Sequence, residues 1–395
     1  MKILVIGGMG IIGGAITEAA ALKGYDVYVL SRRRLSEKWL KLGVKGIAGN
    51  WLNDSFAEKV VSEGYDVIVD TLVFDEKRLM QSAKIIDGHC KHYIYISTDS
   101  VYPHPADNLS EDEDINIDEV YWDYGINKLK AERCLYENGG NYRFNWTCIR
   151  PTITFGDTRI PVGYSSKRGT YTLADRIING KPIIRFDDPN TRHAICHASI
   201  FGKAVVGLFL NEKSFGQSYH ISDDHAYTYD EIFRAIENIL GVKGIYVYVS
   251  TDKIKKYSKS LYEEMIYDKN PNFTLDNNKI KSIVPNENYH VDIQLVMADI
   301  LGNLKNSHNI DNEYNYITDN LLIEQSREQN NDHVNRQLES YLTSLDDQYL
   351  KDLLWFKRRR QLSRLLEPLR MVKRFLKKTI KVVAQIKWSK IIYVY

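Results

Sequence analysis

The sequence has few cysteines, and neither a long apolar run nor a signal peptide pattern is visible in it. The four cysteines, at positions 90, 134, 148 and 196, have none of the short paired spacings typical of zinc sites or disulfide frameworks. No apolar stretch approaches the roughly 20 residues that span a bilayer. The chain opens directly into a strand-like run without a signal peptide pattern. We therefore expect no metal site, no membrane-spanning segment and a cytoplasmic body.

Positive charge is concentrated near the end of the chain. Residues 351–390 contain fourteen Lys and Arg against Asp352 and Glu367, which gives this segment a net charge of +12. The whole chain carries +2, so the remaining residues must sum to −10. An acidic body with a basic tail indicates that the two parts have different roles. With 395 residues and 44% apolar composition, the chain can form a large core and more than one structural unit.

Short apolar runs alternate with helical stretches through the first half of the chain. Ile3 to Ile6 is such a run, and a glycine loop, a helix and a second run from Asp26 to Leu30 follow it. Further strand-like runs are Val44–Ala48, Val67–Val69, His92–Ser97 and Trp146–Arg150. This alternation predicts an α/β fold of the Rossmann type, a doubly wound parallel sheet with helices on both faces.

The glycine loop lies directly after the first strand and opens the first helix. Gly7, Gly10 and Gly13 stand in the spacing GxxGxxG. Glycines allow a tight turn, let the backbone approach a pyrophosphate and let the helix pack closely on the sheet. The helix N-terminus then faces the phosphate charge. Without this context the glycines would indicate only a flexible loop, but with it they predict a nicotinamide dinucleotide site.

The end of the second strand bears on the choice between NAD and NADP. A carboxylate at this position binds the ribose 2′-hydroxyl of NAD, whereas arginine accommodates the 2′-phosphate of NADP. This chain has Ser31, Arg32, Arg33 and Arg34 there, with no carboxylate. We therefore expect NADP, with NAD as the alternative. A purely solvated basic loop would also explain the three arginines.

Two further clusters carry the groups that acid–base chemistry needs. Ser97 to Tyr102 follows a central strand, and Tyr124 to Lys128 opens a helix. Tyr124 and Lys128 are four residues apart, so a helix presents both on one face. A neighbouring ammonium and a cationic nicotinamide ring would lower the phenol pKa from about 10. In a chain with 27 tyrosines, however, the YxxxK spacing alone also fits an exposed helix start.

The succession GGMGIIGG, STDSVY, YGINKLKAE and IRPTITFG resembles the extended short-chain dehydrogenase/reductase superfamily, in its NAD-dependent epimerase/dehydratase group. The resemblance covers about residues 1–305. It implies a triad in which Thr98 supplies a hydroxyl, Tyr124 is the acid/base, and Lys128 is its partner and a ribose ligand. The cofactor contacts that it implies are Gly7, Gly10, Ile11, Ile12, Gly13, Ser31, Arg32, Arg33, Asn50, Trp51, Lys128 and Pro151.

Several positions depart from the pattern of that family. Asp70 and Thr71 stand where epimerases usually read His-Leu-Ala-Ala, and Ile153 stands where nucleotide-sugar epimerases often have Asn. Ile200 replaces the usual Asp three residues after His197. These departures resemble atypical branches of the superfamily, which include NADP-binding proteins with a degraded site and RNA-binding proteins. The retained triad favours an enzyme.

Composition divides the chain into three expected parts. They are a dinucleotide-binding domain over 1–305, with an interleaved substrate portion mainly at 155–200 and 222–305, a polar linker over 306–348, and a basic amphipathic helical tail over 349–395. The lysines and terminal aromatics of the tail, Trp388, Tyr393 and Tyr395, suit an anionic membrane surface. Packing on the body or on a partner protein is an equal alternative. Nucleic acid is disfavoured because the body is acidic.

The resemblance and the residues together predict an NAD(P)-dependent sugar-nucleotide epimerase or dehydratase. A tail at the inner membrane face would suit the synthesis of surface polysaccharide. An NADPH-dependent carbonyl reductase of another small substrate is the first alternative, because Arg32 to Arg34 point to NADP. A non-catalytic dinucleotide- or RNA-binding protein is the second. We also allow for a homodimer.

Overall fold

The computed structural model describes residues 1–111, 115–307, 309–327 and 332–365. The strands are β1 (Lys2–Ile6), β2 (Asp26–Ser31), β3 (Lys45–Ala48), β4 (Tyr65–Asp70), β5 (Cys90–Ile96), β6 (Ala106–Leu109), β7 (Asn145–Pro151), β8 (Ile153–Phe155), β9 (Ile183–Arg185), β10 (Ile195–His197), β11 (Gln217–Ile221), β12 (Tyr246–Tyr248) and β13 (Phe273–Leu275). The helices are α1 (Ile11–Leu22), α2 (Glu37–Lys41), α3 (Asp54–Val61), α4 (Glu76–Ile86), α5 (Asp123–Asn138), α6 (Thr172–Ile178), α7 (Ala198–Gly207), α8 (Tyr229–Leu240), α9 (Lys259–Glu264), α10 (Asn278–Ile283), α11 (Ile293–Ser307), α12 (Asn312–Ser326), α13 (Asp332–Thr343) and α14 (Asp347–Leu365).

The central sheet of the described residues has seven strands in the order β3-β2-β1-β4-β5-β7-β11. All neighbouring strands in it run parallel. The strand order turns back at β1, with β2 and β3 on one side and the later strands on the other. This is the order of a doubly wound Rossmann sheet, so the predicted fold class is confirmed.

Alternation along β1 explains why both faces of the sheet are covered. Ile3 and Val5 face one apolar core, which contains residues of α1 and α7. Leu4 and Ile6 face the other, which contains residues of α3, α4 and α5. Because successive side chains of a strand point to opposite faces, a continuous apolar run requires helices on both sides.

Short parallel pairs of strands lie outside the central sheet. They are β8 with β10, β9 with β12, and β6 with β13. All of these except β6 come from the chain after β7, where the sequence predicts the interleaved substrate portion. A π-helical turn, Met265–Lys269, precedes β13.

The described part of the chain divides into two compact units. One holds residues 1–248 and 263–311, and the other holds residues 249–262 and the described residues from 312 to 365. The predicted linker over 306–348 is therefore wrong for its described residues, because α12 and α13 occupy most of it. Helix α12 buries Tyr314, Ile317, Leu321 and Leu322, which are spaced three, four and one apart. Their helical periodicity outweighs the polar composition. The boundary near residue 305 lies a few residues before the one at Asp311.

The predicted tail is described only in its first part. Residues 349–365 lie in α14, and the remainder, with Trp388, Tyr393 and Tyr395, lies outside the described residues. No helix in the described part of the chain is both long and apolar enough to cross a membrane.

A buried ion pair joins α5 to the sheet. Arg150 of β7 donates from Nη2 to Glu132 Oε2 of α5 over 2.6 Å, and from Nη1 to the Tyr102 hydroxyl over 2.8 Å. That hydroxyl also lies 3.0 Å from Nδ1 of His220 on β11. Burial lowers the pKa of His220 to about 4, so its imidazole is neutral. The network connects α5, β7 and β11 in the interior.

We expect Arg150→Met to lower the free energy of unfolding by about 3–5 kcal/mol, because it leaves the Glu132 carboxylate buried without its partner. Urea denaturation measures the change. Lys91→Met is the matched control, since it breaks an exposed pair with Asp66 and should cost less than about 1 kcal/mol. Replacing both buried partners, as Glu132→Leu with Arg150→Met, should recover most of the loss. Equal effects of Arg150→Met and Lys91→Met would show that burial of the ion pair does not stabilise the fold.

Candidate active site

Two glycines shape the turn between β1 and α1. Gly7 has a φ of +76°, in the left-handed region that favours glycine. A Cβ at Gly7 would lie 2.2 Å from Thr71 Oγ1, and one at Gly13 would lie 2.7 Å from Gly8 Cα. Gly7 therefore requires glycine for its backbone angle, and Gly13 requires it for the close approach of α1 to the loop.

The start of α1 is open to a ligand. Gly10 is its N-cap, no side chain caps the helix, and no acidic residue lies in the first turn. A Cβ at Gly10 would meet only Gly7 O, at 3.6 Å. The amides of a first turn have no partner within their own helix, and here they belong to Ile11, Ile12 and Gly13. The loop therefore fits a pyrophosphate group.

The arginine segment lies beside this loop. Gly7 N donates to Leu30 O at the end of β2 over 3.0 Å. The Ser31 hydroxyl accepts from Arg33 N over 3.0 Å, which closes a tight turn. Arg32 and Arg33 are exposed, as is Arg34 after them. Three guanidinium groups thus follow the strand next to the glycine loop, at the same edge of the sheet.

Two of the residues implied as cofactor contacts, Asn50 and Trp51, follow β3. Asn50 is exposed, and its side chain accepts from Leu52 N over 3.2 Å. Trp51 is only 1% exposed, and its Nε1 donates to Asp70 Oδ2 and Ser82 Oγ over 3.2 and 3.3 Å. The indole of Trp51 therefore belongs to the core under the sheet, so a contact with a cofactor through this side chain does not agree with the structure.

Thr98 and Tyr124 meet at the carboxyl end of β5. Thr98 caps the 3₁₀ turn Asp99–Val101, where its hydroxyl accepts from Ser100 N over 3.2 Å. Tyr124 lies in the first turn of α5. Burial raises the pKa of Tyr124 to about 12, while the nearby Thr98 hydroxyl acts in the opposite direction. The phenol and the hydroxyl thus form one site.

Lys128 lies one turn after Tyr124 and is 2% exposed. Its Nζ donates to Val73 O, just after β4, over 2.5 Å and to Ile96 O, at the end of β5, over 2.8 Å. Burial lowers the pKa of Lys128 to about 8, and the Asp70 carboxylate opposes that shift. The ammonium is therefore held at the same edge of the sheet as Thr98.

Gly125 lets the start of α5 approach the Thr98 turn. A Cβ at this position would lie 2.0 Å from Ser100 O and 3.1 Å from a methyl group of Val120. The first turn of α5 therefore packs directly on the backbone that follows Thr98. In the sequence, the place of Gly125 immediately after Tyr124 is the one signal of this role.

A cluster of buried charges lies close to Tyr124. Asp99 follows Thr98, while Asp268 and Lys269 come from the π-helical turn and form an ion pair of 2.5 Å. Burial raises the pKa of Asp99 to about 8, and the nearby Asp268 carboxylate acts in the same direction. Turns of this kind inside helices are frequent at functional sites.

Two neutral histidines face the same charges. His193 is 1% exposed, and burial lowers its pKa to about 3. The Lys269 ammonium lowers that pKa further, whereas the Asp268 carboxylate raises it. Burial also lowers the pKa of His104, where Asp268 again opposes the shift and Lys269 adds to it. Among the described residues, His193 Nδ1 and His104 Nε2 have no hydrogen-bond partner. The cluster is not predictable from the sequence, because its members are up to 170 positions apart and share no motif.

The remaining positions define the edge of the site. Pro151 ends β7, beside β5, and is buried. Ile153 and Ile200 are buried apolar residues of β8 and α7. In the described part of the chain, no cluster of His, Cys, Asp and Glu could hold a metal ion.

Comparison with known proteins identifies a family. The model of the NAD dependent epimerase/dehydratase family matches residues 3–221 of the chain, which confirms the resemblance drawn from the motifs. A curated relative is the 2′-dehydrokanamycin reductase of Streptomyces kanamyceticus. It is 21% identical over 242 residues, which cover 61% of this chain and 67% of the reductase.

Solved structures share the fold at low sequence identity. UDP-glucuronic acid 4-epimerase from Bacillus cereus, in complex with UDP-glucuronic acid and NAD, has a TM-score of 0.59 and 19% identity, covering 78% of this chain and 99% of that one. The dTDP-glucose 4,6-dehydratase from Bacillus anthracis, in complex with NAD, has a TM-score of 0.59 and 16% identity, covering 78% and 97%.

We expect Gly125→Ala to lower the free energy of unfolding by about 1–3 kcal/mol, since its methyl group would collide with Ser100 O and force α5 to shift. Urea denaturation of Gly140→Ala is the control, because a Cβ there meets nothing within 4 Å. If both variants were equally stable, close packing at the start of α5 would not be a constraint.

Proposed function

The chain belongs to the NAD dependent epimerase/dehydratase family of enzymes, and from this premise we propose a sugar-nucleotide epimerase or dehydratase acting through Thr98, Tyr124 and Lys128. The observation that carries the proposal is that the Thr98 hydroxyl, the Tyr124 phenol and the buried Lys128 ammonium lie at one edge of the sheet. The glycine loop lies at the same edge.

We assign the cofactor to the glycine loop. Gly7, Gly10 and Gly13 would hold the pyrophosphate at the start of α1, and Lys128 would hold a ribose. Ser31, Arg32 and Arg33 favour a 2′-phosphate, so we propose NADP, although the two solved neighbours are complexes with NAD. When bound, the nicotinamide ring supplies a group that accepts and returns a hydride.

Tyr124 is the residue that moves a proton. With a pKa of about 12 it keeps its phenolic proton at neutral pH, so its Oη can donate to an oxygen atom of the substrate. Thr98 holds the same oxygen by a second hydrogen bond. Action as a base requires additional positive charge beside the phenol, which would lower the pKa.

The buried cluster near Tyr124 suits an uncharged, hydroxyl-rich ring. His104 Nδ1 donates to Tyr102 O, so the unpartnered Nε2 of this neutral imidazole is an acceptor. The unpartnered Nδ1 of His193 is also an acceptor, because its Nε2 donates to Thr191 Oγ1. Asp268 and Lys269 offer a further acceptor and a donor. A hexose ring presents several hydroxyl groups, each with both capacities. We therefore propose the sugar ring of a nucleotide sugar as the substrate group here. A product of this class would serve the synthesis of surface polysaccharide.

A carbonyl reductase dependent on NADPH is the second candidate. The exposed Arg32, Arg33 and Arg34 favour it, as does the high pKa of Tyr124, since reduction needs a proton donor. The curated relative is also a reductase. Cofactor that stays bound through purification supports the epimerase or dehydratase, and freely exchanging NADPH supports the reductase.

We expect Tyr124→Phe to reduce turnover by at least about 100-fold with dinucleotide affinity unchanged, because only the proton-carrying oxygen is lost. UDP-glucose, UDP-glucuronic acid and dTDP-glucose, each with NAD or NADP, form the substrate panel, and NMR follows the products. Tyr121→Phe is the matched control, since Tyr121 is 66% exposed three residues earlier.

Each outcome of this experiment is informative. Equal turnover by the Tyr124→Phe variant would refute the role of the phenol. NADPH oxidation with small carbonyl compounds, but no reaction with any nucleotide sugar, would replace the epimerase or dehydratase with the reductase. If neither dinucleotide binds, the whole assignment fails.

We expect Arg32→Ala with Arg33→Ala to weaken NADPH binding about 10- to 100-fold and to leave NADH binding unchanged, because hydrogen bonds to a charged phosphate are lost. Fluorescence titration with each dinucleotide measures the affinities. Lys41→Ala, an exposed cation on α2, is the control. An equal loss for both dinucleotides, or no loss, would contradict an NADP site at this turn.

A further inference from the structure

Helix α14 presents one face to solvent that combines apolar and basic side chains. Leu354 and Trp355 on it are 56% and 61% exposed, and Lys351, Arg358 and Arg359 are exposed beside them. Counted from Lys351, the other four positions lie three, four, seven and eight residues further along the chain. The five side chains therefore share one side of the helix. We name this set the outer face of α14.

The opposite side of α14 is occupied within its own unit. Leu353 is buried, and the Phe356 ring packs on the Tyr316 ring of α12 with centroids 5.3 Å apart. Lys357 Nζ lies 2.9 Å from Glu324 Oε1, and Arg360 pairs with Glu313. These contacts to α12 determine which side of α14 remains outside.

The outer face keeps its positive charge available. The Arg359 guanidinium lies over the Trp355 ring, 5.1 Å from its centroid. No acidic side chain of the described residues forms an ion pair with Lys351, Arg358 or Arg359. By contrast, the cations on the inner side, Lys357 and Arg360, are both neutralised. In the described part of the chain, the outer face of α14 therefore carries unpaired positive charge, whereas the cations of the inner side are paired with carboxylates.

We propose that the outer face of α14 docks on an anionic lipid surface. Tryptophan and leucine insert at the boundary between headgroups and acyl chains, and flanking Lys and Arg bind anionic headgroups. The sequence beyond residue 365 adds eight Lys and Arg against Glu367. The remaining residues carry a net charge of −10, so an anionic surface would repel them and would attract the basic segment 351–390.

The charge distribution favours a membrane over RNA. An RNA strand that extended beyond residues 351–390 would be repelled, because the rest of the chain carries a net charge of −10. A flat lipid surface can contact one helix face alone. The exposed aliphatic Leu354 beside Trp355 also suits a hydrocarbon boundary, whereas base stacking uses aromatic rings.

Co-sedimentation of the full chain with vesicles tests the proposal. We expect binding to phosphatidylcholine vesicles in which about one lipid in three is the anionic phosphatidylglycerol. We expect no binding to vesicles of pure phosphatidylcholine. Leu354→Ser with Trp355→Ser, and separately Arg358→Gln with Arg359→Gln, should each lower the partition coefficient at least about tenfold. Leu295→Ser and Lys213→Gln are matched controls, since these exposed side chains lie in the other unit.

A second measurement does not depend on variants that unfold. The tryptophan fluorescence of the wild type should shift to shorter wavelength with anionic vesicles, and that shift should disappear in Trp355→Phe. Failure of the wild type to bind anionic vesicles, or equal binding by the variants and controls, would overturn the proposal. It would also fall if Trp355 mediated binding to polyuridine instead of vesicles, or if the Leu354 and Trp355 substitutions converted a dimer to a monomer.

Discussion

The buried ammonium of Lys128 is the contact on which the arrangement of the site depends. A charge removed from water must be compensated by hydrogen bonds or opposite charge, and Lys128 finds carbonyl acceptors after β4 and at the end of β5. These two strands are neighbours in the sheet, so one side chain fixes the start of α5 over their carboxyl ends. Gly125 permits that approach, because any Cβ would strike Ser100 O. The phenol of Tyr124 is thereby held beside Thr98.

Helix α5 carries a second buried contact one turn later, and it serves the fold. Glu132 accepts from Arg150, whose guanidinium continues to Tyr102 and His220. The same helix thus positions the proposed proton donor and joins β7 to the rest of the sheet. Burial has a related effect on the cluster beyond Tyr124, where it keeps His193 neutral. A neutral imidazole with an unpartnered nitrogen can bind a hydroxyl group, whereas a charged one would select for anions.

The second unit shows how composition can mislead. Residues 306–348 are rich in Asn, Gln, Glu and Tyr, and this polarity predicted a linker. Helix α12 nevertheless buries Ile317 and Leu321 four residues apart, and Glu324 pairs with both Lys256 and Lys357. The partner Lys256 comes from segment 249–262, which lies within the predicted substrate portion but belongs to the second unit. No local pattern indicates that such a distant segment joins these helices.

The sequence by itself determined the fold class, the glycine loop and the pair formed by Tyr124 and Lys128. Each of these follows from local spacing: apolar runs of strand length, glycines after a strand, or two residues one helical turn apart. Only the tertiary structure decided which side chains serve the core and which meet at the site. Trp51 turned out to be a core residue, while Asp268, Lys269 and His193 joined Tyr124 from distant segments. The physical reason is that burial and long-range pairing depend on strand order and packing, which sequence spacing does not encode.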